Sequence, residues 1–292
     1  MADHLTQLQR TNLNGFPKPG ELIEITGAHE LEAPDRAILN LLYQHAHNSG
    51  RLTEGDAAWE LPLAELRHGL SRHQSNDAVR ASLAKLMGVQ VKVSYMSGVV
   101  CGQEAQAGEA RTLLTHLFDF IDTSDGDSSR STVRYGLPKK LVEVLARSNR
   151  WGRIKAEVVC AMTSKYSIAL YEMVQLRANM DRCVETFPLA RFRDLLGVPP
   201  KTYERGNDFA RFVIQPAMLE INGLSDMSVD LALVRRNKVA PIEAVTLTWW
   251  RKEGDEYRAA LRERDRSKLG RMARLRGKVE IASLPACPPA VA

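Results

Sequence analysis

The strongest constraint on this chain is that one order of segments occurs twice. In the first half Pro34 stands where a helix can open, and Ile38, Leu41, Leu42 and His45 recur at helical spacing toward Gly50. Residues 61–70 fit a short second helix with Pro62 in its first turn. Ser75 or Asn76 can cap a third, with apolar face Val79, Leu83 and Leu86 and stop signal Gly88. Val89, Val91, Val93 and Tyr95 then alternate with Gln90, Lys92 and Ser94, and residues 112–121 suit a second strand. In the second half Ser164 caps a helix with Ile168, Leu170, Tyr171 and Val174 inside. Pro188 opens a short helix through Leu189, Phe192, Leu195 and Leu196 that ends at Gly197. A third helix runs from about Tyr203, with Phe209, Phe212, Val213 and Leu219 as its apolar face. Strands at 227–234 and 242–250 follow, joined by Arg235-Arg236-Asn237-Lys238.

Three helices and a hairpin, twice, is the order of two tandem winged helix-turn-helix domains, an α+β fold. Pro216 should kink or divide the last helix, because it lacks a donor and clashes with the preceding turn. Residues 137–146 read as a further helix between the units, and residues 122–131, small or charged, as an exposed loop or long hairpin turn. The expected divisions are an N-terminal domain over 1–130, a C-terminal domain over 131–257 and a mobile basic tail over 258–292, helical up to Lys268.

Charge separates the halves. Residues 1–130 hold 11 Lys or Arg against 17 Asp or Glu, a net −6, and residues 131–292 hold 29 against 18, a net +11. A basic surface concentrates phosphate ligands, so the second unit is the one expected to meet a polyanion. Its last helix would enter the major groove, with Arg205 and Arg211 able to fork onto guanine, Asn207 to pair with adenine, and Asp208 beside them. Lys201, Thr202 and Tyr203 precede that helix as phosphate contacts, Arg191 and Arg193 extend from the helix before, and the wing is Arg235, Arg236, Asn237 and Lys238. The plain alternatives are Arg205 and Arg211 solvated or paired with Glu204 and Asp208, and a wing that is only a polar turn. Trp249 and Trp250 suit strand packing better than base stacking.

Residues 163–173, which include Lys165-Tyr166-Ser167, the block Leu195-Leu196-Gly197-Val198, and residues 215–222, from Pro216-Ala217 to Glu220-Ile221-Asn222, resemble the C-terminal signature of iteron-binding plasmid replication initiators of the Rep type. The likeness is close over residues 135–250 and general in layout before that. It implies a main DNA reader in the second domain, with Ser164 and Lys165 near phosphate and Tyr166, Leu170 and Tyr171 in the core. The first domain would carry a dimer interface and an auxiliary DNA contact, for which Arg72, His73, Arg80 and Lys85 are the candidates. It further implies double-stranded DNA at origin repeats and at the protein's own operator, a homodimer in equilibrium with monomer, host initiator, helicase and chaperone partners, and a bacterial, plasmid-encoded cytoplasmic protein.

Other classes lack their marks. No apolar run is long enough for a bilayer, the N-terminus lacks a secretory pattern, and four scattered cysteines make neither a disulfide scaffold nor a close metal pair. No Gly-Lys-Ser or Gly-Lys-Thr phosphate loop occurs, and Asp122, Asp125 and Asp127 share one loop without rigid partners. The expectation is a protein without catalysis, cofactor, metal or membrane. The rivals are a dedicated dimeric repressor, a protein-binding adaptor, and a nicking enzyme with Tyr203 or Tyr171 as nucleophile.

Overall fold

The structure is a computed structural model that describes residues 14–70, 75–97, 109–124, 130–237 and 240–277. The first part of the chain runs β1 (Phe16–Pro19), α1 (Gly20–Ile23), α2 (Ala33–Asn48), β2 (Ala58–Pro62), α3 (Leu63–Leu70), α4 (Asn76–Gly88), β3 (Gln90–Ser97), β4 (Glu109–His116), β5 (Phe120–Thr123), β6 (Thr132–Gly136) and α5 (Lys139–Ala146). There follow β7 (Trp151–Ile154), α6 (Ala156–Ala161), α7 (Lys165–Arg177), β8 (Val184–Pro188), α8 (Leu189–Leu196), α9 (Gly206–Phe209), a π-turn (Ala210–Ile214), α10 (Gln215–Leu224), β9 (Met227–Val234), β10 (Ala244–Arg251), α11 (Gly254–Asp265) and α12 (Arg271–Leu275).

The doubled unit is helix, strand, helix, helix, strand, strand. Each copy contains a strand that periodicity did not reveal, β2 and β8, and each of these ends on a proline, Pro62 or Pro188, with a leucine opening the next helix. Proline lacks the N–H that a strand would use, and its fixed φ suits a helix start, so it closes one element and opens the other. The helix expected from residue 61 therefore begins at Leu63. In the second unit β10 lies between β8 and β9, with Val245 opposite Phe187 on one side and Leu233 on the other.

In the first unit β3 and β4 form a separate two-stranded wing, while β6 lies between β2 and β5. The strand expected over 112–121 is two strands, β4 and β5, interrupted at residues 117–119, where Leu117 and Phe118 are both only 1% exposed. The division expected at residue 130 is also corrected. The segment before it is the β5–β6 hairpin loop, β6 completes the first unit's sheet, and β7 pairs with β1 from Phe16↔Ile154 to Pro19↔Trp151.

The units meet along α7, of which every residue except Leu176 is buried. A helix apolar or enclosed on all sides belongs in a core, and here its charged residues, Lys165, Glu172 and Arg177, each make a tie to the first unit. Lys18 of β1 donates to Glu172 Oε1 at 2.9 Å and to Asn40 Oδ1 at 3.1 Å, and Asn40 Nδ2 donates to the same Glu172 oxygen at 2.6 Å. Near the far end of α7, Arg177 bonds Glu24 Oε1 and Glu185 Oε2, each at 2.6 Å, and Trp249 Nε1 donates to the Arg177 carbonyl. Burial raises the Glu24 carboxyl, but Arg177 and Arg150 outweigh it and hold it below its usual range. A depressed carboxylate contributes stability above its unfolded pKa and loses it as pH falls through the folded value. Glu24→Gln is therefore expected to flatten the acid limb of a stability-versus-pH curve, read by denaturant titration below about pH 4.5.

The basic tail expected from residue 258 is not a mobile arm through residue 277. It forms α11 and α12, which pack back on the second unit because its charges find partners. Arg271, 2% exposed, donates to the carbonyls of Ala161, Arg264 and Arg266. Glu263 receives Arg274 at 2.7 Å and Arg266 at 3.4 Å, and Lys268 donates to Cys160 O at 2.7 Å. Arg271→Ala removes a buried cation from four carbonyls, those of Ala161, Glu263, Arg264 and Arg266, so about 2–3 kcal/mol of stability should be lost. Limited proteolysis should then cut between residues 252 and 277 first; unchanged cleavage and an unchanged midpoint would count against this account of the extension.

Candidate nucleic-acid interface

The helix-turn-helix of the second unit is α8, a tight turn, and α9 to α10. Gly197 ends α8 at φ 71°, and a Cβ there would strike the guanidinium of Arg36, so glycine is required both for the backbone and for the close approach of α2. Lys201 and Tyr203 also take left-handed φ values, 60° and 50°. Such residues persist only where their surroundings fix them. Arg193 does this by donating to the carbonyls of Thr202 and Tyr203 while its guanidinium lies 5.2 Å from the Phe209 ring centroid. It is thus a positioning residue for the turn and not the free phosphate contact expected above.

Pro216 divides the expected third helix. Gln215 N–H donates to Ala210 O, five residues back, which widens the turn ahead of the proline and gives α9, the π-turn and α10. The wider turn also shifts the face on which side chains lie. Phe209 and Val213 are buried as expected, but Phe212 is 46% exposed.

Arg205, Asn207 and Arg211 are exposed along this segment, with Asp208 half-buried and Lys201 exposed before it. Among the described residues no carboxylate pairs with Arg205 or Arg211, so the alternative of partners at Glu204 and Asp208 does not hold. Thr202 Oγ1 donates to Pro199 O, and Tyr203 stacks on Phe212 with centroids 5.7 Å apart, so both serve the turn. In the wing, Arg235 donates to Ala240 O at 2.8 Å and lies against Gly206 at the start of α9. Asn237 Oδ1 accepts from Ala240 N–H, and Arg236, though 81% exposed, is ion-paired with Glu243 at 2.7 Å. Lys238 lies outside the described residues.

Other candidates are committed elsewhere. Ser164 caps α7 by accepting from Tyr166 N–H, and Lys165 donates to His29 O and Glu32 Oε1, a tie between the units that takes its charge away from any phosphate in this conformation. Arg191 is half-exposed, 3.7 Å from Glu24. In the first unit Arg80 bonds Asp77 and Ser124 O, Lys85 lies 3.6 Å from Asp35, and Arg72 and His73 lie outside the described residues. Tyr171, weighed above as a nucleophile, is fully buried, and burial pushes its phenol well above the usual value. Trp249 is core and Trp250 is 46% exposed.

Sequence inspection missed the supports of α10. Glu220, 1% exposed on the back of α10, accepts from Thr163 N–H and Oγ1 and from Ser164 N–H, capping α7 from outside. Asn222 exchanges two hydrogen bonds with the Val229 backbone, at 2.8 and 3.0 Å, fixing the end of α10 to β9. Lys252 closes the same end by donating to Asn222 O and Ser225 O, and burial lowers its ammonium to about 8.

Comparison with known families agrees with this geometry. The model of the initiator replication protein WH1 matches residues 18–175, more than half of the chain, and that of the initiator Rep protein WH2 matches residues 188–249. The chain belongs to the initiator Rep protein family. This Rep protein is accordingly a replication initiator built from two tandem winged-helix domains, and α11 and α12 lie beyond the family match. Among solved structures it is similar to the Pi initiator protein in complex with iteron DNA, at TM-score 0.56 and 13% identity over 82% of this chain and 97% of that one. It is also similar to domains 2 and 3 of RctB, at TM-score 0.45 and 12% identity over 74% of this chain and 81% of that one. No curated protein matches its sequence. Among the described residues of the Rep protein, no helix is long and apolar enough to cross a membrane.

Proposed function

We propose that the protein initiates plasmid replication by binding directly repeated origin sites through α9–α10 and its wing, and that several bound copies strain nearby A·T-rich DNA so that the origin opens. The observation that carries this is the outward face of α9–α10, where Arg205 and Arg211 stand exposed with no carboxylate partner among the described residues and the wing base rests on the helix start. Unpaired guanidiniums on a rigid helix are suited to major-groove guanine, and flanking cations to phosphate. The Pi initiator, of like fold, was solved on iteron DNA, which favours the same kind of site here.

On this account the protein works by binding and deformation and not by bond chemistry. Dimers repress the protein's own operator, monomers occupy the repeats, and the host initiator and helicase act on the opened DNA, with chaperones shifting the balance. The test is selection of duplexes from a random library with the purified protein, followed by mass measurement of the complex on the enriched site. One protomer per short non-palindromic site supports initiation at repeats. Two protomers on an inverted repeat alone would make the protein a dedicated repressor, and no duplex binding at low salt would make it an adaptor.

A further inference from the structure

Among the described residues of α9–α10, Phe212 is the only strongly exposed large apolar side chain, at 46%. Helical spacing alone predicts it buried with Phe209 and Val213; the π-turn turns it outward, onto the face that carries Arg211 and Gln215. It is not loose there. Its ring stacks on Tyr203, centroids 5.7 Å apart and planes 29° apart, and Tyr203 meets Tyr166 edge-on at 6.5 Å. Tyr166 is 8% exposed, so a column of three rings runs from the core to the surface. The Arg211 guanidinium lies 5.2 Å from the Phe212 centroid and screens one side of the ring. Beyond it a shallow groove continues past Met218, Leu219 and Arg276.

An aromatic held rigidly among base-reading groups needs an apolar counterpart in the ligand. The edges of the base pairs in the major groove offer one, the C5-methyl of thymine; their other distinguishing groups are hydrogen-bond donors and acceptors. We propose that Phe212 is a specificity-determining residue that reads a thymine methyl next to the base contacted by Arg211. The proposal rests on α9–α10 being the helix that enters the groove. A protein partner would also cover an apolar ring, but the flanking unpaired guanidinium and the amide of Gln215 favour a base edge.

The test separates the methyl from everything else. In the duplex enriched by the wild-type protein, each thymine is replaced singly by deoxyuridine, which removes the methyl and leaves base pairing and hydrogen-bond groups intact. Dissociation constants are measured for wild type, Phe212→Leu and Phe212→Ala. Burial of one methyl corresponds to about a three- to fivefold change in affinity. Wild type should lose about that much at one or two thymines, Phe212→Ala should lose nothing there, and Phe212→Leu should keep part of the discrimination. Each protein is compared with itself on two duplexes, so any folding loss in a variant cancels.

Equal binding of wild type to every deoxyuridine duplex would overturn the proposal, as would methyl dependence unchanged in Phe212→Ala. If either occurs while Arg211→Ala still loses affinity on the enriched duplex and not on random DNA, the Phe212 assignment falls alone. Failure to enrich any sequence would overturn it together with the groove-binding account of α9–α10.

Discussion

Lys18→Met should destabilise the protein by about 3–5 kcal/mol in denaturant titration, because it takes from the buried Glu172 carboxylate the cation that hydrogen-bonds it and leaves only the neighbouring buried Arg36 to balance its charge. Lys18 is 1% exposed, and burial lowers its ammonium pKa despite the carboxylate 2.9 Å away. Such a pair adds little net stability relative to apolar groups of the same shape, but breaking one half is costly. The double variant Lys18→Met/Glu172→Gln removes both charges and keeps an acceptor for Asn40, so it should regain at least half of the loss. Its failure to recover anything would mean that Lys18 acts by its packing alone. The three residues belong to β1, α2 and α7, so the single variant should also loosen the joint between the winged helices, read as faster hydrogen exchange in α2 and α7.

The second large effect is on binding. Affinity for duplex DNA should fall about a thousandfold between 50 and 200 mM salt, the change expected for about six neutralised phosphates. Lys201 is exposed and suited to that role, and removing it should lower the slope of log affinity against log salt by about one. Arg193→Ala should behave differently. Its guanidinium is occupied by Thr202 O, Tyr203 O and the Phe209 ring, so stability should drop and weaken binding while the slope stays the same. A slope change for Arg193→Ala equal to that for Lys201→Ala would return Arg193 to the phosphate contacts.

Much of the fold was legible because its signals are local. Ser75 and Ser164 cap the helices they were expected to cap, Gly197 ends α8, and Pro188 stands at the start of α8. What sequence could not show depends on partners far along the chain. The pairing of β6 with β2 and of β7 with β1 moves the first unit's limit well past residue 130. The C-terminal arginines read as a solvated arm, since nothing local reveals that Ala161 O and Glu263 will receive them. The candidate site follows the same division. Arg205, Asn207 and Arg211 follow the turn and are exposed, whereas Lys165 and Arg193, also cationic, are consumed by contacts within the protein, which nothing local reveals. The residues that carry the family signature, Glu220 and Asn222 among them, prove to be scaffold that holds α10 in place. Phe212 was misplaced because a π-turn changes the helical phase that periodicity assumes.

The most direct test of the central claim, that α9–α10 reads sequence, compares wild type and Arg211→Ala on the enriched duplex and on a random duplex of the same length at one salt concentration. A bidentate guanine contact is worth about 1–3 kcal/mol of discrimination, so Arg211→Ala should bind the enriched duplex about 5- to 150-fold more weakly and the random duplex nearly as well as wild type. Equal losses on both duplexes would make Arg211 a phosphate contact and remove the reading role from this helix.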